Sequence, residues 1–137
     1  MDELSFADVN ILTEHIAEIT VHPNVEISVA MITECDEYFT RQFSGPFALL
    51  INKINLYDYT FEAKISVVSQ KNMMAIAVVT YDFQGESVAQ SVRALRQEQR
   101  WNFKMFDGVE SGWLQAYQWL KTEVKSMSSP NVNEVAS

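Results

Sequence analysis

Apolar positions along this chain alternate between two rhythms. Phe47-Ala48-Leu49-Leu50-Ile51, Met74-Ala75-Ile76-Ala77-Val78-Val79 and Phe103-Lys104-Met105-Phe106 are short runs with little polar interruption. Each leads into a stretch whose apolar residues fall at helical spacing. Strand and helix alternating at roughly 25–30-residue intervals is the pattern of a mostly parallel sheet with crossover helices. Ahead of these units, Val9-Asn10-Ile11-Leu12 and Ile16 to Val21 are rich in β-formers, and Thr13-Glu14-His15 is the expected tight connection of an antiparallel hairpin.

The first helix is expected from about Val25 to Gln42. Asn24 is its expected N-cap, Val25, Val29, Ile32, Phe39 and Phe43 form its apolar stripe, and Ser28 and Cys35 flank that stripe. Ser44-Gly45-Pro46 ends it. The strand that follows, Phe47 to Ile54, reads as buried on both faces and so belongs in the centre of the sheet. Asn55 to Tyr59 is expected to be a loop. Thr60 is placed to cap a second helix with Phe61, Ile65 and Val68 inward, ending at Lys71-Asn72. Met73 to Thr80 is a second central strand, and Tyr81 to Ser87 a second loop. A third helix should bury Val88, Val92 and Leu95. The strand Asn102 to Phe106 is more polar and nearer an edge. Asp107 and Glu110 suit a capping box for a last helix that buries Trp113, Ala116, Tyr117, Leu120 and Val124. The expected fold is therefore α/β: a single domain, an N-terminal hairpin, then a mixed, mostly parallel sheet of about five strands with about four helices. The domain should span 1–125, with a loose polar tail over 126–137.

Composition narrows the classes. At 137 residues, 47% of them hydrophobic, the chain has enough apolar side chains for one core without metal or disulfide. Cys35 is the only cysteine, so no internal disulfide forms. The acidic start Met1-Asp2-Glu3-Leu4-Ser5 lacks the features of a signal peptide, and no run is long enough to span a membrane. A cytoplasmic location is the expectation. The formal net charge of −8 disfavours nucleic acid and anionic membrane surfaces as partners. Nine carboxylates lie between Asp2 and Glu37, whereas Arg93, Arg96, Arg100 and Lys104 gather near the third helix. A solvated surface with accidental clustering is the plainer reading, and head-to-tail attraction between these zones, which would favour a homodimer, is the alternative.

Several residues carry the resemblance of this chain to a known family. Gly45-Pro46-Phe47-Ala48-Leu49-Leu50-Ile51-Asn52 is similar to the central strand of the SpoIIAA-like group, related to STAS domains (sulfate transporter and anti-sigma factor antagonist). Met74 to Val79, and Phe106-Asp107 with Ala116 and Trp119-Leu120, resemble its later strand and its ending. The likeness runs from about Phe6 to Val124. It implies a small α/β domain without catalysis that docks onto a partner protein. In some relatives a Ser or Thr at the start of the helix after the central strand is phosphorylated, and Thr60 is the hydroxyl that stands there. The chain departs from the family at Asp58-Tyr59-Thr60-Phe61, which lacks the glycine and the second hydroxyl of the regulatory turn, and at Asn52, where many relatives have aspartate. Sec14-type lipid carriers share this topology, so the second implied function is binding of a lipid or other small apolar molecule.

In open α/β sheets, ligands favour the crevice beyond the C-terminal strand ends. That rim should collect Asn55, Asp58, Tyr59 and Thr60, then Tyr81, Asp82 and Gln84, then Asp107. The plainer reading is that Thr60 and Asp107 are helix caps and the tyrosines pack the rim. A third reading, an enzyme using Asp58, Asp82 and Tyr59, has no sequence-level reason for a shifted pKa. His15, His22 and Cys35 lack metal-ligand spacing, and no glycine motif for a nucleotide is present, so neither metal nor cofactor is expected. Glu34 and Asp36 flank Cys35 and should raise its pKa, which makes it a structural thiol. The many aromatics, Trp101 and Trp119 among them, suit core packing or an apolar groove.

Overall fold

The structure is a computed structural model that describes residues 2–67, 72–94 and 102–128. Its strands are β1 (Asp2–Glu3), β2 (Ala7–Thr13), β3 (Ile16–Val21), β4 (Glu26–Ile27), β5 (Phe47–Lys53), β6 (Asp58–Tyr59), β7 (Met73–Thr80) and β8 (Phe103–Asp107). The helices are α1 (Val29–Gln42), α2 (Phe61–Val67), α3 (Phe83–Ala94) and α4 (Gly112–Ser128). The main sheet has six strands in the order β1-β2-β3-β5-β7-β8. β2 and β3 form the expected antiparallel hairpin, and the His15 amide donates to Thr13 Oγ1 at its turn. β3, β5, β7 and β8 are mutually parallel. The fold is thus the expected α/β domain with a mixed, mostly parallel sheet.

From β3 onward, every crossover steps to the next strand in the same direction. Right-handed crossovers then place α1, α2 and α3 on one face of the sheet, and packing agrees. Ile32, Cys35 and Phe39 of α1, Ala63 of α2 and Ala89 of α3 share a core with Leu49 of β5 and Ile76 and Val78 of β7. Ala116, Leu120 and Val124 of α4 share the opposite core with Ala48, Leu50, Ala75, Ala77 and Val79. The period-two alternation of β5 and β7 therefore feeds both layers. The α4 side is lined with alanine, so the helix lies close to the sheet. The other side is filled by rings: Phe43 stacks on Phe47 at 5.0 Å between centroids, and Phe39 lies 5.2 Å from Phe47. Burying each large side chain in these layers is worth roughly 1.5–3 kcal/mol.

Several local expectations are corrected. α1 starts at Val29 and its N-cap is Ser28, whose hydroxyl accepts from the Met31 amide. Asn24 instead takes a left-handed turn at φ 63°, which asparagine tolerates, and leads into β4. The later start turns Val29 outward and Cys35 inward. Phe61 is 66% exposed, and Ala63 holds the inner position of α2. In α3 Ala89 is buried and Val88 is half-buried. The side chains of Ile65 and Val92, together with Val68, Lys71, Leu95, Arg96, Arg100 and Trp101, lie outside the described residues, as does the side chain of Arg93. The expected loop 55–59 contains β6, which pairs in parallel with β4 to make a separate two-stranded ribbon. Asp107 caps a 3₁₀ turn, Gly108–Glu110, rather than α4 itself. The expected tail begins inside α4, and 129–137 lie outside the described residues.

The entry to α4 depends on two glycines. A Cβ on Gly108 would overlap the Tyr81 ring, and one on Gly112 would overlap the Asp107 carbonyl. The backbone at Gly112 cannot yield as a side chain can. Gly112→Ala is expected to destabilise the protein by about 1–3 kcal/mol in urea unfolding. Gly45→Ala, where nothing lies within 4 Å of the added carbon, should stay within about 0.5 kcal/mol of wild type. Equal midpoints for the two variants would refute this account of the turn.

Candidate functional site

The rim beyond β5, β7 and β8 is divided rather than gathered into one crevice. With no reversal of strand order among the parallel strands, no topological switch point opens between them. Two open grooves of about 490 Å³ each form instead. Asp58 and Gln84 line the first, together with Val25, Leu56 and Val88, between the β4–β6 ribbon and α3. Tyr81, Asp82 and Asp107 line the second, with Glu86 and Val109.

Most of the expected rim residues also have a local structural partner. Asn55 Nδ2 donates to the Val21 carbonyl at 3.0 Å and ties the loop to the end of β3. Thr60 Oγ1 accepts from the Ala63 amide at 3.1 Å and caps α2 as expected. Asp82 Oδ1 accepts from the Gly85 amide at 2.7 Å at the start of α3. Asp107 Oδ1 accepts from the Val109 amide, and Asp58 Oδ1 from the Tyr59 amide.

Tyr59 points elsewhere, into a partly open chamber of about 60 Å³ between the sheet and the α1–α3 layer. Leu49, Ile51, Ile76, Val78 and Cys35 form much of its wall. Lys53, the last residue of β5, enters the same chamber and is only 5% exposed. Its Nζ lies 3.3 Å from the centre of the Tyr57 ring and 3.5 Å from the Tyr57 carbonyl oxygen. Burial pushes the Lys53 pKa down to about 8, against the attraction of Asp58 and Asp82. Burial also pushes Tyr59 up to about 12 and Tyr57 well above its ordinary value, and the two rings lie 5.9 Å apart. Cys35 is pushed up to about 12 by burial, then by Glu34 and Asp36, and is an inert thiol.

A second polar cluster lies under α4. Glu18 Oε2 of β3 accepts from Trp113 Nε1 at 2.8 Å and from Asn52 Nδ2 at 3.0 Å. Asn52 Oδ1 accepts from the Tyr81 hydroxyl at 2.7 Å. These bonds join three strands' worth of sheet to the first turn of α4, and they satisfy the half-buried carboxylate.

Sequence reasoning passed over Lys53, Tyr57 and Glu18. The signal for Lys53 was present: counting by two from Leu49 and Ile51 puts it on the α1–α3 face of a strand buried on both sides. No group of three or more potential metal ligands occurs among the described residues. His22 Nε2 lies 3.2 Å from Asp8, and exposed His15 lies 4.0 Å from Glu14. No described helix is long and apolar enough to cross a membrane. No family model, curated protein or solved structure matches this chain.

The Lys53 environment has a measurable consequence. Between about pH 8 and the ordinary lysine value of 10.5, the unfolded chain binds more protons at this site than the folded one. Stability from this group therefore rises with pH across that window. Lys53→Met should be more stable than wild type at pH 7 by roughly 2–3 kcal/mol, with the gap closing by about pH 10.5. Cys35 and the tyrosines titrate with the opposite sign, but equally in both proteins. Urea midpoints across pH read the difference, and a gap independent of pH would refute the buried ammonium as its source.

Proposed function

We propose that this chain is a non-enzymatic regulatory domain of the SpoIIAA-like or STAS kind, acting by docking onto another protein. The observation that carries this reading is the stretch 54–61. Ile54, Leu56 and Phe61 are 54%, 50% and 66% exposed, and they flank Thr60 on one rim of the sheet. Scattered apolar residues on a surface are ordinary, but three large ones in so short a stretch, beside an open groove, suit a protein contact. Thr60 lies half-buried at the cap of α2 with its oxygen accepting from Ala63. A phosphate there would add nearly two negative charges where the helix dipole favours them and would alter the docking rim.

The alternatives find less support. A lipid or large apolar ligand needs several hundred Å³, and the chamber offers about 60 Å³. Catalysis by Asp58, Asp82 and Tyr59 needs convergence. Asp58 and Asp82 line different grooves, while Tyr59 faces the chamber. Self-association through opposed charge is weakened because four acidic residues of the N-terminal zone have internal partners. Asp2 accepts from Tyr38, Asp8 faces His22, Glu18 accepts from Trp113, and Glu34 accepts from Ser5.

Capture from native lysate, quantified by mass spectrometry, tests the reading. Wild type and Thr60→Ala should retain a partner that Thr60→Glu loses. Leu56→Ser combined with Phe61→Ser should lose the same partner while keeping the wild-type urea midpoint within about 1 kcal/mol, since both side chains are exposed. Identical capture by every variant removes the docking rim, and identical capture by the Thr60 pair alone removes the switch. Light scattering of the purified protein distinguishes a second copy of the chain as the partner.

A further inference from the structure

The Lys53 ammonium is a buried charge short of partners. It has three protons to donate. Its recorded hydrogen bond is the one to the Tyr57 carbonyl, at the outer limit of such bonds, and its other contact is the Tyr57 ring face. No carboxylate among the described residues lies within 4.0 Å of it, since the ion pairs found there are those of the two histidines. Buried charges in proteins are ordinarily paired, because an isolated one costs several kcal/mol. Here the charge borders a mostly apolar chamber.

We propose that this chamber binds a short-chain monocarboxylate, with its carboxylate against Lys53 and its alkyl end among Leu49, Ile51, Ile76 and Val78. The volume sets the size. A water needs roughly 10–15 Å³ measured this way, so about 60 Å³ holds about four or five non-hydrogen atoms, the size of acetate or propionate. The chemistry sets the class. A carboxylate supplies the acceptors that the ammonium lacks and cancels its charge. The Tyr59 side chain lines the same chamber, and its hydroxyl has a proton to donate to a second carboxylate oxygen. A water beside the ammonium finds partners, but the several waters that would fill the chamber face a wall that is mostly hydrocarbon. Asp58 and Asp82, nearer the rim, keep the amine in its charged form and set its charge against the burial that opposes it. A ligand this small binds no tighter than micromolar.

Calorimetry and thermal unfolding with sodium acetate, propionate and benzoate, and with propionamide, test the proposal near pH 7. Propionate should bind wild type in the micromolar to millimolar range and raise its melting temperature. Benzoate, too large, and propionamide, uncharged, should be at least tenfold weaker. Lys53→Met should fold and lose propionate binding at least tenfold. Val78→Leu keeps the ammonium while taking volume from the chamber, and it should lose binding as well. The proposal is overturned if wild type fails to bind at tens of millimolar, as it would with water only in the chamber. It is equally overturned if propionamide matches propionate, or if both variants bind as wild type does. These outcomes are independent of partner capture at the 54–61 rim.

Discussion

The pairing of β5 with β7 is the constraint that the rest of this molecule obeys. Neither strand has a polar side chain to turn outward over most of its length, so neither can face water on either side. Both faces must be roofed, and the alternation of small and large residues decides by what. Ala48, Ala75 and Ala77 admit the close approach of one helix, α4. Phe47, Leu49, Ile76 and Val78 need a thicker layer, which α1, α2 and α3 supply together with the rings of Phe39 and Phe43. A β-strand flips its faces at every residue, so this division of labour is written into the sequence two residues at a time.

Uniform progression of the crossovers has a functional side. Folds whose strand order reverses gain a crevice where neighbouring connections part. This sheet advances in one direction from hairpin to edge, and among the described residues its loops border two open grooves and a small, mostly apolar chamber. A broad, partly apolar rim with a cappable threonine suits contact with another surface. A small chamber with one cation suits a molecule of a few atoms. The two features share the β5–α2 connection, whose exposed Ile54, Leu56 and Phe61 face outward while Tyr57 and Tyr59 line the chamber.

The architecture was legible from periodicity because the long apolar runs are unambiguous. Met73 to Thr80 can only be a central strand, and Ala116, Leu120 and Val124 fall on one helical face. Caps were less legible. Asn24 and Ser28 are both good N-cap residues, and the choice was made by the ribbon pairing of Glu26–Ile27 with Asp58–Tyr59, a contact 32 residues apart in register that no local pattern announces. Phe61 reads as an inner residue by type, yet it is exposed and Ala63 takes the inner position of α2. Asn55, Tyr81 and Asp107 fall at or just past the ends of sheet strands, whereas Asp58 and Tyr59 form β6 and Gln84 lies in α3. Their separation into different grooves depends on how far apart the loops fold, which spacing alone does not encode. Lys53 was hidden by the habit of reading a terminal lysine as solvated, although the strand's own alternation turned it inward.

The bond between Trp113 and Glu18 joins positions 95 residues apart. It also implies an order of assembly during synthesis. Until α4 has left the ribosome, the alanine-lined side of the sheet has no roof, and Glu18 and Asn52 lack the indole that completes their network. A nascent chain with everything up to β8 made therefore presents a flat hydrocarbon wall to the cytosol or to whatever shields it. Docking α4 closes this fold, and the alanine-lined face of the sheet stays bare until that helix has emerged to cover it.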